Sequence, residues 1–312
     1  MADSKFPLPK LPSVALEETF THNHPVQLFN LSKCSRKMHA NVKMLSRFVG
    51  RQYSMQVNFS MDSEVSFVAN DNTEDCVGIG IEATSRTRAE TVGVAEAQNA
   101  VQHLWDLFHS PPTEARINLN MEKSSSDAAF NWIAAHQEKL SGVMCYSDST
   151  INDDKYEKCL TAFRKSKVVI FAIATDGFQL TQQVEACAMS IHNASWWTPN
   201  HLVYFTCHDL TIRDHAITNE MMNTFLKEWQ TGMRDFPKIG KIVLEKRDLN
   251  IQDLLKDINE DHVSVEKVLG NDGQVDRFSI QRDDVWYRKL WLHEQRGCIV
   301  VSNLQYYYTP RE

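Results

Sequence analysis

The sequence predicts an α/β chain built in two parts, and three observations carry that expectation. Short runs with period-two alternation recur in both halves, the mark of half-buried strands. Each half also contains a stretch with helical periodicity, clearest in the alanine-rich run 91–108. Between the halves stand Pro111-Pro112 and a polar run ending at Ser124, a composition that breaks regular structure. With 312 residues, 42% hydrophobic and 23% charged, the chain is long and apolar enough for two globular cores.

Residues 1–39 read as an irregular leader holding Pro7, Pro9 and Pro12, with a short helix near Val14–Phe20. Residues 40–110 read as helix, three strands, helix. Asn41 is placed to cap a helix over Val42–Arg51. Met55–Met61, Glu64–Ala69 and Asp75–Glu82 alternate as strands, and Thr91–Phe108 aligns Val94, Ala97, Val101 and Leu104 on one face. Residues 111–141 read as a linker and a helix over Asp127–Leu140, capped by Ser125 or Ser126 and closed by Gly142.

Residues 142–292 read as the second domain and 293–312 as an extension. Val143–Tyr146 is a short apolar strand running into Ser147-Asp148-Ser149. Tyr156–Arg164 and Lys167–Thr175 read as a hairpin turning at Lys165-Ser166, Leu180–Asn193 as an amphipathic helix, and His201–Thr206 as a buried strand. Helices are expected over Ile212–Thr218, Glu220–Trp229, Leu249–Ile258 and Asp283–Leu292, and strands over His262–Val268 and Cys298–Tyr308. Arg234–Arg247 reads either as a solvated charged loop or as a substrate-gripping stretch.

Seven cysteines are scattered singly, with no C-x-x-C pair. That pattern indicates free thiols in a reducing compartment, cytoplasmic or nuclear, rather than a disulfide framework or a zinc site. No run approaches the ~18 apolar residues of a membrane span, and Met1–Pro12 lacks the apolar core of a signal peptide. The net charge of −7 argues against a broad electrostatic grip on nucleic acid, so any such contact rests on local sites.

Three acids occupy telling places: Asp148 at the end of a strand, Glu185 in the first turns of the following helix, and Asp209 at the end of the next strand. Singly, an Asp at a strand end is ordinarily a turn or cap residue. Gathered, such carboxylates repel one another unless a cation joins them. Mg²⁺ suits one or two carboxylates plus a phosphate, and two ions clamp the attacking and leaving oxygens of a phosphodiester.

The ordered set resembles the ribonuclease H family over Gly142–Lys289. Val143-Met-Cys-Tyr-Ser-Asp148-Ser is similar to the family's first strand, Val184-Glu185-Ala-Cys-Ala-Met-Ser-Ile to its helix, and Val203-Tyr-Phe-Thr-Cys-His-Asp209 to its next strand. Val263–Gly273 is similar to the strand and Gly-rich loop before the final helix. The resemblance implies a mixed five-stranded sheet with flanking helices. It further implies two Mg²⁺ (or Mn²⁺) ions held by Asp148, Glu185 and Asp209 with Asp283 or Asp284, and a metal-activated water cutting RNA in an RNA/DNA hybrid. Arg234, Lys238 and Lys241 would hold that substrate, with Trp229 and Phe236 interleaved.

The sequence departs from the family pattern at Ser149, at Cys207-His208, and at Asn271-Asp272 where a loop His is usual. These departures favour an alternative, a nucleic-acid-binding or interaction protein that keeps the fold without the chemistry. A further alternative is a nucleoside-processing α/β enzyme with Glu185 near the sugar.

Residues 40–108 resemble a double-stranded RNA-binding domain through Leu45, Tyr53, Phe67, Gly78, Gly80 and Ser85-Arg86-Thr87-Arg88-Ala89. The resemblance implies phosphate contacts from Arg86 and Arg88 at a helix N-terminus. Glu90 stands where a Lys is usual, and residues 31–110 carry eight Lys/Arg against nine Asp/Glu. A packing module, or one that pairs two copies of the chain, is the competing reading.

Overall fold

The computed structural model describes residues 12–46, 52–70, 76–80, 89–233, 235, 238–245, 248–270, 273–283, 289–295 and 298–303. The chain separates into two compact units, Met1–Val143 and Met144–Glu312.

Unit 1 begins with three short helices, α1 (Ser13–Thr21), α2 (Pro25–Lys33) and α3 (Arg36–Leu45). Residues 25–33 are thus helical inside the segment expected to be irregular. Their start is set by Pro25 at the first helical position and by His24, whose ring accepts the Val26 N–H. Helix α3 begins six residues before the expected Val42, because Ser35 rather than Asn41 supplies the cap, accepting the Met38 N–H at 3.1 Å. Strands β1 (Tyr53–Phe59), β2 (Glu64–Ala69) and β3 (Cys76–Gly80) follow, then α4 (Ala89–Phe108), β4 (Pro112–Asn118) and α5 (Lys123–His136).

The unit 1 strands lie in the order β4-β1-β2-β3. β1 and β2 form an antiparallel hairpin, β2 and β3 are antiparallel, and β4 runs parallel to β1. One face buries Met55, Val57, Phe59, Val65 and Phe67. The α4 stripe Val94, Ala97, Val101, Leu104 and Phe108 is buried as well, and Phe67 meets Phe108 edge-on at 5.6 Å. The stretch read as a linker is therefore partly sheet. Pro112 sits at the first residue of β4, where a missing N–H is tolerated, and Ala115 and Ile117 are buried. Gly93 on α4 lies close to the β1–β2 turn, where a Cβ would stand 3.4 Å from the Met61 carbonyl oxygen, a tight but ordinary contact.

Unit 2 contains β5 (Gly142–Thr150), α6 (Asp153–Thr161), β6 (Lys167–Ile173), β7 (Val184–Glu185), β8 (Ala188–His192), β9 (Phe205–Ile212), α7 (Asn219–Gln230), β10 (Lys238–Glu245), α8 (Ile251–Leu254), β11 (Val263–Gly270), β12 (Gly273–Gln281), β13 (Lys289–Gln295) and β14 (Cys298–Asn303). The order is β5-β6-β8-β9-β10-β14-β13-β12-β11, with β7 beside β9. Strands β6, β8, β9 and β10 are parallel. From β10 onward every pairing is antiparallel. The mixed α/β class is as expected, but this sheet extends past five strands.

Several elements differ from the expectations, each for a local reason. Asp153–Thr161 is a helix, so β5 and β6 are not joined as a hairpin. Asn152 caps it by accepting the Lys155 N–H at 2.9 Å, and Tyr156, Cys159, Leu160 and Phe163 are buried at helical spacing. Residues 184–185 and 188–192 are strand rather than helix. β7 and β8 keep one offset of 21 residues against β9, with Val184 opposite Phe205 and Ala188 opposite Asp209.

Burial alternates at Val184 and Ala186, slips by one residue, and resumes at Met189 and Ile191. That slip places apolar residues at helix-like intervals and imitates a 3.6 period. Lys238–Glu245 is a strand burying Ile239, Ile242 and Leu244 rather than a loop. Residues 213–218 are not helical, α8 is shorter than the helix expected over 249–258, and Lys289–Gln295 is a strand where a final helix was expected.

One face of the parallel strands is sealed. Val168, Ile170, Met189, Ile191, Leu210, Ile212, Ile242 and Leu244 are each at most 2% exposed. Helix α6 packs on β6 and β7, and α7 contributes the buried stripe Met222, Phe225, Leu226 and Trp229. At about 1.5–3 kcal/mol per fully buried aliphatic side chain, this face contributes substantially to the stability of the unit.

Candidate functional site

Asp148, Glu185 and Asp209 lie at different places on the unit 2 sheet, and Asp283 lies two residues past the end of β12. Asp148 is exposed near the end of β5. Ile151, just past that strand, donates its N–H to the carbonyl of Ile173, the last residue of β6, at 3.0 Å, so β5 and β6 finish together. Asp209 lies in the middle of β9, opposite Ala188 on β8 and Lys241 on β10. Two strands, β6 and β8, separate β5 from β9. At about 4.8 Å per strand the Asp148 and Asp209 backbones are at least about 14 Å apart. Glu185 is the second and last residue of β7, opposite Thr206 and thus three residues below Asp209.

Each acid has its own neighbour. Glu185 lies 3.7 Å from the Arg164 guanidinium, Asp209 Oδ2 lies 3.0 Å from His208 Nδ1, and Asp283 Oδ1 lies 3.2 Å from His262 Nδ1. The structure therefore does not bring the four together, and among the described residues no three His, Cys, Asp or Glu stand grouped to hold a metal ion. Asp284, Arg86, Arg88 and Arg234 lie outside the described residues. Lys238 is exposed at the start of β10, and Lys241 is half-buried three residues on.

The surface that unit 2 does build is the open side of its sheet. On β6, Val169, Phe171 and Ile173 alternate with the buried Val168, Ile170 and Ala172. Phe171 is 36% exposed and Ile173 41%. Phe171 lies opposite His192 on β8, and their rings stack at 3.9 Å with an interplanar angle of 33°. Burial, then the nearby Arg213 charge, hold the His192 imidazole below its ordinary pKa, which favours the neutral ring beside Phe171. Asp214, in the left-handed region at φ 51°, turns the chain after β9, and its N–H donates to Glu245 Oε2 at 3.1 Å. An aromatic-aliphatic strip thus ends at a charged rim of Arg213, Asp214 and Glu245.

The segment 178–204 is braced from the other side. Trp196 Nε1 donates to the Tyr156 hydroxyl at 3.1 Å, and Phe178 packs edge-on against both rings. Burial pushes the Tyr156 hydroxyl well above its usual pKa. Burial likewise pushes the Cys207 thiol up to about 12, with Asp209 adding to the effect, which makes Cys207 an inert core residue rather than a nucleophile.

Sequence reasoning missed Phe171, Ile173 and His192 as surface residues. The available signal was in Lys167–Ile173, where both alternating sets are apolar: such a strand is either buried on both faces or offers one to a partner.

A family model described as F-box associated matches residues 178–237. The matched stretch runs from the aromatic brace through β7, β8, β9 and α7, the centre of the parallel sheet. No curated protein and no solved structure matches the chain. Among the described residues, no helix is long and apolar enough to cross a membrane.

Proposed function

We propose that unit 2 is a protein-interaction module acting together with an F-box protein, and that the Phe171–Ile173 side of its sheet is the contact surface. The match of residues 178–237 to the F-box associated family carries this reading. The exposed apolar strip beside it supports it, because clustered apolar surface on a folded domain marks contact sites. The reading develops the alternative of an interaction protein without metal chemistry.

The test is affinity measurement by calorimetry between the full chain and F-box proteins of the same source. Phe171→Asp/Ile173→Asp weakens binding at least about tenfold, the loss expected when an apolar anchor is replaced by a charge, with an unchanged unfolding midpoint. Unaltered affinity in that variant overturns the assignment of the surface.

Cleavage of RNA in RNA/DNA hybrids is the second proposal, supported by the order of acids Asp148, Glu185, Asp209 and Asp283 along the chain. Its check is incubation with hybrid and millimolar Mg²⁺ or Mn²⁺. Cutting that Asp148→Asn abolishes sustains it, and an uncut hybrid retires it.

A further inference from the structure

A pair of histidines joins two helices of unit 1. The His39 ring on α3 and the His103 ring on α4 have centroids 5.2 Å apart and an interplanar angle of 53°. His103 also meets Phe29 of α2 edge-on at 5.5 Å, and its Nε2 lies 3.5 Å from Ser32 Oγ. Lys33 sets its ammonium over the same Phe29 ring, 3.9 Å from the centroid. Both imidazoles are half-buried. The contact closes over a small core: Leu28, Phe29, Met38 and Val42 of α2 and α3 are at most 6% exposed. The last turn of α3 is fastened to α4 separately. There Lys43 meets Asp106 at 2.6 Å, and Ser46 just beyond donates to the Leu107 carbonyl at 3.4 Å. Toward α2 the contact runs through His103.

The charges facing this pair are weighted towards cations. Lys33 comes from α2, Lys43 from α3 and Asp106 from α4, with His109 just past the end of α4. Asp106 is the carboxylate that acts on His103, and Lys43 already occupies it. Two further elements pack nearby. α1 lies against α3, with Glu17 and Glu18 exposed and Glu18 paired to His22 at 3.1 Å. β3 lies against α2, and its sequence, Cys76-Val-Gly-Ile-Gly80, holds no Lys, Arg, His, Asp or Glu. Burial, then the His39 and Lys33 charges, lower the His103 pKa, opposed by Asp106. Undocking removes both the burial and the crowding, so the undocked ring binds a proton more readily, near the ordinary value of about 6.5. Acid therefore favours separation of the helices.

We propose that His39 and His103 form an acid-released latch, in which proton uptake by the pair frees α2 and the start of α3 from α4. Two imidazolium rings 5.2 Å apart repel each other. Lys33 adds to that repulsion, and a carboxylate shared with Lys43 offsets at most one of these charges. Neutral imidazoles pack at the same distance without charge repulsion, so the latch closes near pH 7 and loosens toward pH 5. Opening uncovers the apolar residues around Phe29 and Met38, a surface that the closed form withholds. Each proton taken up raises the opening equilibrium by at most about tenfold per pH unit. The latch lies wholly within unit 1, so it stands or falls apart from the contact surface proposed for unit 2.

The experiment is hydrogen exchange on the full chain, read peptide by peptide by mass spectrometry at pH 7 and pH 5, with the His39 and His103 Cε1–H resonances titrated in parallel. Protection over residues 25–40, corrected for the intrinsic pH dependence of exchange, is expected to fall about tenfold between the two conditions, while residues 97–108 keep theirs. His103→Gln, which retains a polar group toward Ser32 but does not titrate, loses most of that fall. If this variant is already unprotected over 25–40 at pH 7, Lys33→Gln decides, because it changes an exposed side chain: the His103 pKa rises and the fall shrinks. An equal loss of protection over 97–108, an undiminished fall in either variant, or no fall at all overturns the latch.

Discussion

The two units were not equally legible, and the contrast follows from how each sheet is wired. In unit 1, β1, β2 and β3 succeed one another as antiparallel neighbours. Each strand has one face on the core, and its residues alternate accordingly: Met55, Val57 and Phe59 inside, Gln56 and Asn58 less buried. In unit 2 the parallel strands β6, β8, β9 and β10 need crossovers between neighbours. Partners come from far along the chain, and both faces of β6 are apolar. A pattern-based reading succeeds where register is local and one-sided, and loses its footing where neither holds.

This contrast can be broken by substitution. The largest effect is expected at the parallel core. Leu210→Ala on β9, a position with 0% exposure, removes a side chain packed between strands and costs about 2–5 kcal/mol. The unfolding midpoint in urea reads this directly. Val57→Ala on β1, equally buried, removes less volume, and a cost as large as that of Leu210→Ala would erase the distinction drawn between the sheets.

The aromatic brace comes next. Trp196→Phe leaves the buried Tyr156 hydroxyl without its donor, at a cost of about 1–3 kcal/mol. Tyr156→Phe made together with it recovers part of that loss in a double-mutant cycle.

A pH series discriminates further. Burial depresses the pKa of His192, His201 and His293 in unit 2 and of His24 and His103 in unit 1. The unfolded chain therefore binds protons that the folded chain refuses. Stability is fully present above the ordinary histidine pKa of about 6.5 and falls as pH drops through the lowered folded values. Unfolding midpoints that rise on acidification from pH 7 to 5 would contradict this sign.

The smallest effect is expected at the surface of unit 1. Lys43 Nζ lies 2.6 Å from Asp106 Oδ1, joining α3 to α4, with both side chains at least 36% exposed. Lys43→Ala costs at most about 1 kcal/mol, and 0.5 M salt removes most of that difference.

Particular residues show why the second half misled. The Asn152-Asp153-Asp154 start of α6 is legible as a cap with acids in the first turn, yet the β-branched and aromatic residues after it suggested a strand. Residues 184–192 hid a strand behind a one-residue slip shared with β9, where Cys207 and Leu210 are buried and His208 and Asp209 between them are not. That slip also placed Asp209 in mid-strand, although its sequence position suggested a strand end. The acids were read in the right order along the chain, but order does not determine height along a sheet. Register does, and it is set by hydrogen bonds between segments that the sequence does not show to be neighbours.

Strand β11 closes the described sheet of unit 2, with β12 on one side and no described strand on the other. Ser264, Val265, Glu266 and Lys267 along it are all exposed, Val265 by 55%. An outer strand with an exposed valine is a template on which another chain can add itself. Glu266 and Lys267 follow directly, and stacking identical copies in register would set like charges against like. Glu266→Gln/Lys267→Gln, which neutralises both, is expected to raise self-association at high concentration, read by light scattering.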